Sequence, residues 1–455
     1  MASERYGSRL GARAASLPPA ATDAIRGDPA DDLAPPVEPN LVRPREIPGA
    51  RRVGRNTVEI LLFRGLSTPL ALGLVVLQSR FLEPEGRGAY VVAVLGVTIV
   101  SRLLGQLGVA VSNRLRTEGD ELRGLVHRAL ALGIGGGLLA VPAIAAAGAG
   151  IGGIDLDVAL VAAFALAPNV VWQSVSGVLL GQARVRLWNY VQLGSPVLTL
   201  AGMLVLVVAL DLGVLGAVTA WLVANVLTAA FALGAARDLW TPVALPRLDP
   251  VARSLAVLAA GMGAVHVLNL LSYRIELFIL DRHAGLAEIG IYSVAMQAAE
   301  AMWLLSAAVA NAVTGPAIHD DEPGAVRLVR RAALRALGLT AAVAAVVGLA
   351  APFVLPAILG EAFEGSVRPL LLLLPGIVLY APVSVLVVYL SVRHGRPRLS
   401  VLVSLLGMAV TLGLSLVLIP EHGVSGAAVA SALGYAAGGA LAWLFFVRVA
   451  GRRLG

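Results

Sequence analysis

The sequence predicts an all-α membrane protein that crosses the bilayer about twelve times, in two repeats of six helices. The chain of 455 residues is 58% hydrophobic and only 14% charged, and its mean hydropathy is +0.83. In soluble domains about a quarter of all residues are charged, so the composition of this chain is typical of a polytopic membrane protein. Apolar runs of about 20 residues, long enough to cross the hydrocarbon core, recur along most of the chain.

The first stretch differs from the rest, because residues 1–55 hold eight of the 25 prolines and little apolar periodicity. We expect a disordered cytoplasmic tail there. A six-helix N-terminal lobe is then predicted over 56–238 and a six-helix C-terminal lobe over 239–455. The expected spans are 57–80, 88–112, 125–149, 156–181, 187–210, 213–236, 253–280, 287–312, 333–359, 367–392, 397–420 and 423–449.

The arginines predict the orientation of these spans. With the tail on the cytoplasmic side, nineteen arginines fall in inner loops or at the C-terminus. Outer loops hold only Arg80, Arg87, Arg282 and Arg368. Cytoplasmic loops carry the excess of basic residues in membrane proteins, so both termini are expected to be cytoplasmic. The same rule accounts for the net charge of +7 without nucleic acid as a partner.

Two pairs of segments indicate an internal duplication. EGRGAYVVAV (85–94) aligns with AEIGIYSVAM (287–296) at an offset of 202, and GVLGAVTAWL (213–222) aligns with GVSGAAVASA (423–432) at an offset of 210. Each repeat has an even number of spans, so the second repeat starts on the same side of the membrane as the first. The two repeats would therefore be parallel and related by an axis along the membrane normal. Transporters built in this way bind substrate between the halves and rock them to alternate access.

Several kinds of chemistry are missing from the sequence. The chain has no cysteine, so it has no disulfide, thiolate metal ligand or cysteine nucleophile. It contains no phosphate-binding lysine loop, no His/Glu metal spacing and no nucleophile elbow. We therefore expect a protein that is not an enzyme and has no cofactor or metal.

Arginines at membrane depth are the first candidate site. Arg64 and Arg102 both lie roughly 10–15 Å inside the inner boundary, on adjacent spans. Gln106 follows Arg102 on the same helical face. Two guanidiniums at one depth would make an anion site suited to phosphate. The alternative is that each side chain reaches back to the inner headgroups.

Charged side chains near 271–300 form the second candidate site, since a charge in the bilayer costs about 2.5–3.5 kcal/mol or more. Glu276, Glu300 and His266 are candidates for coupling to H⁺ or Na⁺. A helical wheel places His266, Asn269 and Glu276 on one face of the seventh span. Arg274 points away from Glu276, so its partner is expected on another helix. A purely structural ion pair of Arg274 with either glutamate is the alternative.

The segment RIELFILDRHAGLAEIGIYSVAMQAAE (274–300) resembles a motif of polysaccharide and oligosaccharide-lipid flippases in the multidrug/oligosaccharidyl-lipid/polysaccharide (MOP) exporter superfamily. FLEPEGRGAYVVAV (81–94) and GVSGAAVASALGYAAGGAL (423–441) resemble its first-half counterpart and its twelfth helix. Glu276 departs from the usual Asp. The resemblance implies a V-shaped, MATE-like transporter that flips a polyprenyl-diphosphate-linked oligosaccharide. It also implies that Arg64, Arg102 and Arg274 suit the diphosphate, and that coupling is to an ion gradient or to the membrane potential.

Other functions stay open at this point. A MATE-type multidrug or cation antiporter has the same fold, but cationic drugs favour aromatic residues, which are only 5% of the chain. A lipid II flippase would share the cavity chemistry. A polytopic glycosyltransferase or polymerase would need a large outer loop, which is absent from the predicted layout. The flippase prediction places the protein in the cell membrane, with the lipid-linked oligosaccharide, membrane lipids and polysaccharide assembly proteins as partners.

Overall fold

The computed structural model describes residues 50–118, 121–151, 153–240 and 249–454, and these residues form helices without any strand. The tail predicted over 1–55 lies almost wholly outside them. The α-helices are α1 Ala50–Leu104, α2 Leu107–Glu118, α3 Leu122–Ile151, α4 Leu156–Phe164, α5 Leu166–Gly181, α6 Val185–Met203, α7 Gly213–Ala235, α8 Pro250–Leu271, α9 Ile275–Glu300, α10 Trp303–His319, α11 Glu322–Leu359, α12 Val367–Tyr380, α13 Val383–Val387 and α14 Pro397–Leu454. Two single π-turns, Leu204–Ala209 and Val388–Arg393, extend α6 and α13. An all-helical fold, as predicted, satisfies the backbone within lipid.

Three of these helices fold back on themselves. The backbone breaks at Glu83 in α1 (φ 58°), at Gly285 in α9 (φ 81°) and at Gly423 in α14 (φ 53°). In a straight helix, residues 26 apart would be about 39 Å from each other. Across the break in α9, however, the side chains of Arg274 and Glu300 are only 2.6 Å apart. α9 is therefore a hairpin. So is α14, where a Cβ on Gly434 would lie 2.8 Å from the carbonyl oxygen of Gly407, and so is α1, where Arg87 Nη1 donates to the carbonyl of Val75 at 3.1 Å.

Ten stretches of the described residues are long and apolar enough to cross a membrane. The three breaks fall where outer loops are predicted after the first, seventh and eleventh spans. Three of the ten stretches, Pro69–Leu115, Ile275–His319 and Pro397–Gly451, contain such a break. Ten stretches can therefore supply more than ten crossings. The number twelve itself stays a prediction.

The backbone follows the duplication predicted from the sequence. Glu83 and Gly285 are 202 residues apart, and they share a positive φ and a ψ of 176° and 178°. Gly213 and Gly423 are 210 residues apart, and both have φ 53°. The equivalent hairpins of the two halves therefore turn at equivalent residues. Three of these four residues are glycine, which a positive φ favours.

Buried apolar side chains group by position in the chain. One cluster is drawn from residues 77–259, and two others from 277–450 apart from Leu95. Gly49–Gly455 nevertheless forms a single compact unit. The boundary between lobes at residues 238 and 239 stays a prediction, since Leu255 and Ala259 pack with the first cluster.

Candidate functional site

The seventh span is interrupted in the middle of the protein. α8 ends at Leu271 and α9 begins at Ile275, so Ser272–Arg274 form a turn between two helical pieces. Broken helices at membrane depth are typical of transporters, where the free backbone groups line binding sites. This break makes the helical wheel wrong. Glu276 is wholly buried, whereas His266 and Asn269 are exposed.

Arg274 and Glu300 form a two-pronged ion pair across the α9 hairpin. Nη1 donates to Oε1 at 2.6 Å, and Nη2 donates to Oε2 at 2.8 Å. Nη1 also donates to the carbonyl of Tyr273 at 2.7 Å and contacts the sulfur of Met296 at 3.1 Å. The expected partner on another helix is therefore Glu300. Because both side chains are only 20% and 17% exposed, separating them would leave a costly unpaired charge.

Glu276 lies beside this pair but takes no part in it. Its Oε1 is 3.2 Å from the hydroxyl of Tyr292, which is 3.1 Å from the hydroxyl of Ser431. Its Oε2 is buried and has no hydrogen-bond partner among the described residues. An anionic carboxylate with a bare oxygen in an apolar core is unfavourable. A proton or a small cation on that oxygen would remove the cost.

Four aromatic rings pack beside the ion pair: Tyr273, Trp303, Tyr380 and Tyr435. Their centroids are 5.0–6.2 Å apart, and the hydroxyls of Tyr273 and Tyr380 are 3.0 Å apart. Since Tyr273 directly precedes Arg274, the rings place apolar surface beside the pair, which strengthens its electrostatic attraction. Sequence reasoning missed this cluster, because the rings come from four separate segments and share no spacing.

The structure corrects the predicted position of Arg87. The sequence predicts this residue in an outer loop, but its side chain is wholly buried. Its Nε donates to Ser293 Oγ at 2.9 Å and its Nη2 donates to Gln297 Oε1 at 3.1 Å. Its Nη1 is within 3.3 Å of acceptors on Val75, Gln78 and Ser79. Each of these acceptors is neutral. The α1 hairpin folds this arginine back into the protein, which no local pattern reveals.

Two glycines bring the halves into backbone contact next to Arg87. A Cβ on Gly88 would lie 1.8 Å from the carbonyl oxygen of Leu286, and a Cβ on Gly290 would lie 1.9 Å from that of Pro84. Both residue pairs are related by the offset of 202, so the contact has the symmetry of the repeat. We call Pro84, Arg87 and Gly88 with Leu286 and Gly290 the outer joint, since it lies at the predicted outer end.

A second contact between the halves lies farther along the α1 hairpin. A Cβ on Gly263 of α8 would be 2.4 Å from the carbonyl oxygen of Leu103. Arg102 and His266 are exposed beside this crossing. Gln106 is partly exposed one turn away. The predicted partner of Arg102, Arg64, lies outside the described side chains.

The predicted site residues thus form two groups. Arg274, Glu276 and Glu300 lie together within the second half, and Arg102 and His266 lie where the halves cross. Asn269 belongs to neither group, and its side-chain oxygen accepts a hydrogen bond from Ser404 at 3.3 Å. The described residues contain no set of three His, Cys, Asp or Glu side chains arranged for a metal ion. Their roles in binding or coupling stay predictions.

Comparison with known proteins identifies the family. The family model described as "Polysaccharide biosynthesis protein" matches residues 53–320, while no curated protein sequence matches the chain. The fold is similar to that of the lipid II flippase MurJ in an inward closed conformation, with TM-score 0.71 at 11% identity, covering 86% of this chain and 87% of MurJ.

Two structures of MATE multidrug resistance transporters of the MOP superfamily are similar as well. The inward-facing one has TM-score 0.67 at 17% identity and covers 84% of this chain and 94% of its own. The outward-facing one has TM-score 0.60 at 18% identity and covers 88% and 95%. Since the family model matches more than half of the chain, the protein belongs to the polysaccharide biosynthesis protein family, and its fold is that of the MurJ and MATE structures.

Proposed function

We propose that this transporter flips a polyprenyl-diphosphate-linked oligosaccharide from the inner to the outer leaflet of the cell membrane, for the assembly of a surface polysaccharide. It would act by alternating access, as a transporter and not an enzyme, with both termini in the cytoplasm. Polysaccharide assembly proteins would use the flipped product. The family assignment and the similarity to MurJ support a cargo of this class.

One observation carries the choice of an anionic cargo. The two glutamates predicted at membrane depth near 271–300 are withdrawn from any cargo, because Glu276 is buried and Glu300 is paired with Arg274. Arg102, by contrast, is exposed beside the crossing of the halves. An exposed guanidinium suits a diphosphate, which it can bind through two parallel hydrogen bonds. A transporter for cationic drugs would instead need an accessible carboxylate.

Ion coupling is the second component of the proposal. Glu276 would take up a proton or Na⁺ on its unpartnered oxygen, and Tyr292 and Ser431 would supply neutral oxygens next to it. Arg274 would hold Glu300 in place unless the hairpin opens. His266, which is exposed where the halves cross, would be a second group able to take up a proton.

A strain that lacks the gene tests the cargo. Its membrane lipids are extracted and examined by mass spectrometry for polyprenyl-diphosphate glycans. Accumulation of one finished repeat unit, reversed by the wild-type gene, is the expected result and identifies the glycan. Normal lipids with new sensitivity to cationic drugs would establish the MATE-type exporter instead. An unfinished glycan would indicate a glycosyltransferase or polymerase.

Arg102 variants test the site in liposomes that contain the purified protein and the accumulated lipid. We expect Arg102→Gln to slow flipping at least tenfold and Arg102→Lys to retain part of the rate, since lysine keeps the charge but not the planar fork. Arg448→Gln is the control, because Arg448 is exposed near the C-terminus. Equal rates for Arg102→Gln and wild type would refute the role of Arg102.

A further inference from the structure

α11 is much longer than a membrane crossing requires. Its 38 residues extend about 57 Å, whereas the hydrocarbon core is about 30 Å thick and the whole bilayer about 40–45 Å. A tilt of about 20° shortens its projection on the membrane normal by only a few ångströms. One end of α11 must therefore extend through the headgroup region. Its first four turns, at the predicted cytoplasmic end, carry the charged residues.

Four arginines lie on one side of these turns. Arg327, Arg330, Arg331 and Arg335 are all exposed, and their spacing of three and four residues places them along one side of the helix. The opposite side packs into the protein through small residues and one valine, which are Ala325, Val329, Ala332, Ala333 and Ala336. The beginning of α11 is thus amphipathic, with an arginine face directed away from the protein.

None of the four arginines has a hydrogen-bonding or ionic partner among the described residues. Other arginines at the predicted cytoplasmic side do: Arg128 pairs with Asp249, and Arg184 pairs with Asp238. The carboxylate nearest in sequence, Glu322, accepts from Arg393 at 2.9 Å. The arginine face is therefore available to a ligand from outside the protein.

The same side of α11 continues as apolar surface. At 100° per residue, Leu339, Val346, Leu349 and Phe353 fall in the same arc as Arg331 and Arg335. These apolar side chains are 45%, 66%, 77% and 78% exposed. From Arg335 to Phe353 the helix rises about 27 Å, which is close to the thickness of the hydrocarbon core. One continuous stripe thus offers guanidiniums at the headgroup level and apolar side chains along the lipid tails.

We propose that this stripe of α11 is a binding site for anionic phospholipids of the inner leaflet. The phosphate of such a lipid accepts hydrogen bonds from the arginines, and its acyl chain lies against the exposed apolar residues. Guanidinium and phosphate match in geometry as well as in charge. Orientation in the membrane requires only net positive charge on one side, which the scattered arginines of other inner loops also supply. The proposal does not depend on the transported cargo.

The test uses the full chain, purified in detergent and titrated with palmitoyl-oleoyl phosphatidylglycerol or phosphatidylcholine. Native mass spectrometry counts the bound lipids. The cluster variant carries Gln at 327, 330, 331 and 335. The matched control replaces four exposed and separately located arginines with Gln: Arg237, Arg253, Arg398 and Arg448. Both variants lose four positive charges, so they differ only in where the charge was.

We expect the cluster variant to bind phosphatidylglycerol at least about tenfold more weakly than wild type, because it lacks the four charges that attract the anionic headgroup. The scattered control should stay within about threefold of wild type. A fourfold Lys variant of the cluster should fall between wild type and the Gln variant, because lysine keeps the charge but not the planar fork. Phosphatidylcholine binding should not change. An equal loss in cluster and scattered variants, or no loss in the cluster variant, would overturn the proposal. If the cluster variant cannot be purified, Arg331→Gln with Arg335→Gln is measured by the same criteria.

Discussion

Gly290→Ala is the sharpest test of the outer joint. The added Cβ would lie 1.9 Å from the carbonyl oxygen of Pro84, whereas real Cβ contacts essentially never fall below 3.0 Å. The backbones must therefore separate by at least 1.1 Å (3.0 − 1.9). No side chain can rotate away to absorb this, because the obstacle is backbone. The joint must open, or the hairpins of α1 and α9 must shift.

Overpacking of a tight contact costs about 1–3 kcal/mol, and a clash against backbone belongs at the upper end. Alanine would otherwise stabilise a helix by about 0.5–1 kcal/mol relative to glycine. Gly338→Ala in α11 is the matched control, since nothing lies within 4 Å of the position of its Cβ. We expect opposite signs for the two substitutions, a loss at Gly290 and a small gain at Gly338.

Thermal unfolding in one detergent, followed by tryptophan fluorescence, measures both variants against wild type. Gly88→Ala should resemble Gly290→Ala, because the Cβ added at Gly88 would lie 1.8 Å from the carbonyl oxygen of Leu286. The double variant should lose less stability than the sum of the two single losses, since one opening of the joint relieves both clashes. A Gly290→Ala protein that melts at or above the wild-type temperature, as Gly338→Ala should, would refute the close contact.

Three further predictions concern single polar residues. Arg87→Met should cost about 1–3 kcal/mol, because it leaves neutral acceptors such as Ser293 and Gln297 without their donor, and a melting temperature equal to wild type would contradict this. Glu276→Gln should abolish the dependence of flipping on pH or Na⁺, measured in liposomes, while unchanged dependence would make Glu276 structural. The hydrogen bond from Arg128 holds the pKa of the Asp249 carboxyl, outside the spans, below its usual value. The ionised Asp249 carboxylate therefore stabilises the fold at pH values above about 4, the pKa of an unfolded aspartate. This stabilisation is lost as the pH falls through the lower pKa that Asp249 has in the folded protein. The melting temperature of Asp249→Asn should accordingly lie below wild type at pH 7 and approach it in acid, and a difference that does not vary with pH would count against the pair.

Much of the architecture was predictable because it follows from local patterns. Apolar runs of bilayer length predict helices, and the repeat offset of 202 predicted which glycines occupy equivalent places. Gly88 and Gly290 indeed make equivalent contacts. For Arg274, the sequence placed any partner on another helix and left two glutamates open. The packing of the α9 hairpin selected Glu300.

The sequence by itself determined the class of the protein, its helical repeats and the presence of charges at membrane depth, since these depend on composition and on residues near each other in the chain. Only the tertiary structure decided which charges are accessible. The turn at Ser272–Arg274 buries Glu276 and leaves His266 exposed, and the α1 hairpin buries Arg87. Burial and pairing depend on which helices touch, and those contacts join residues up to hundreds of positions apart. A helical period describes one helix, whereas a buried charge is satisfied by its neighbours on the others.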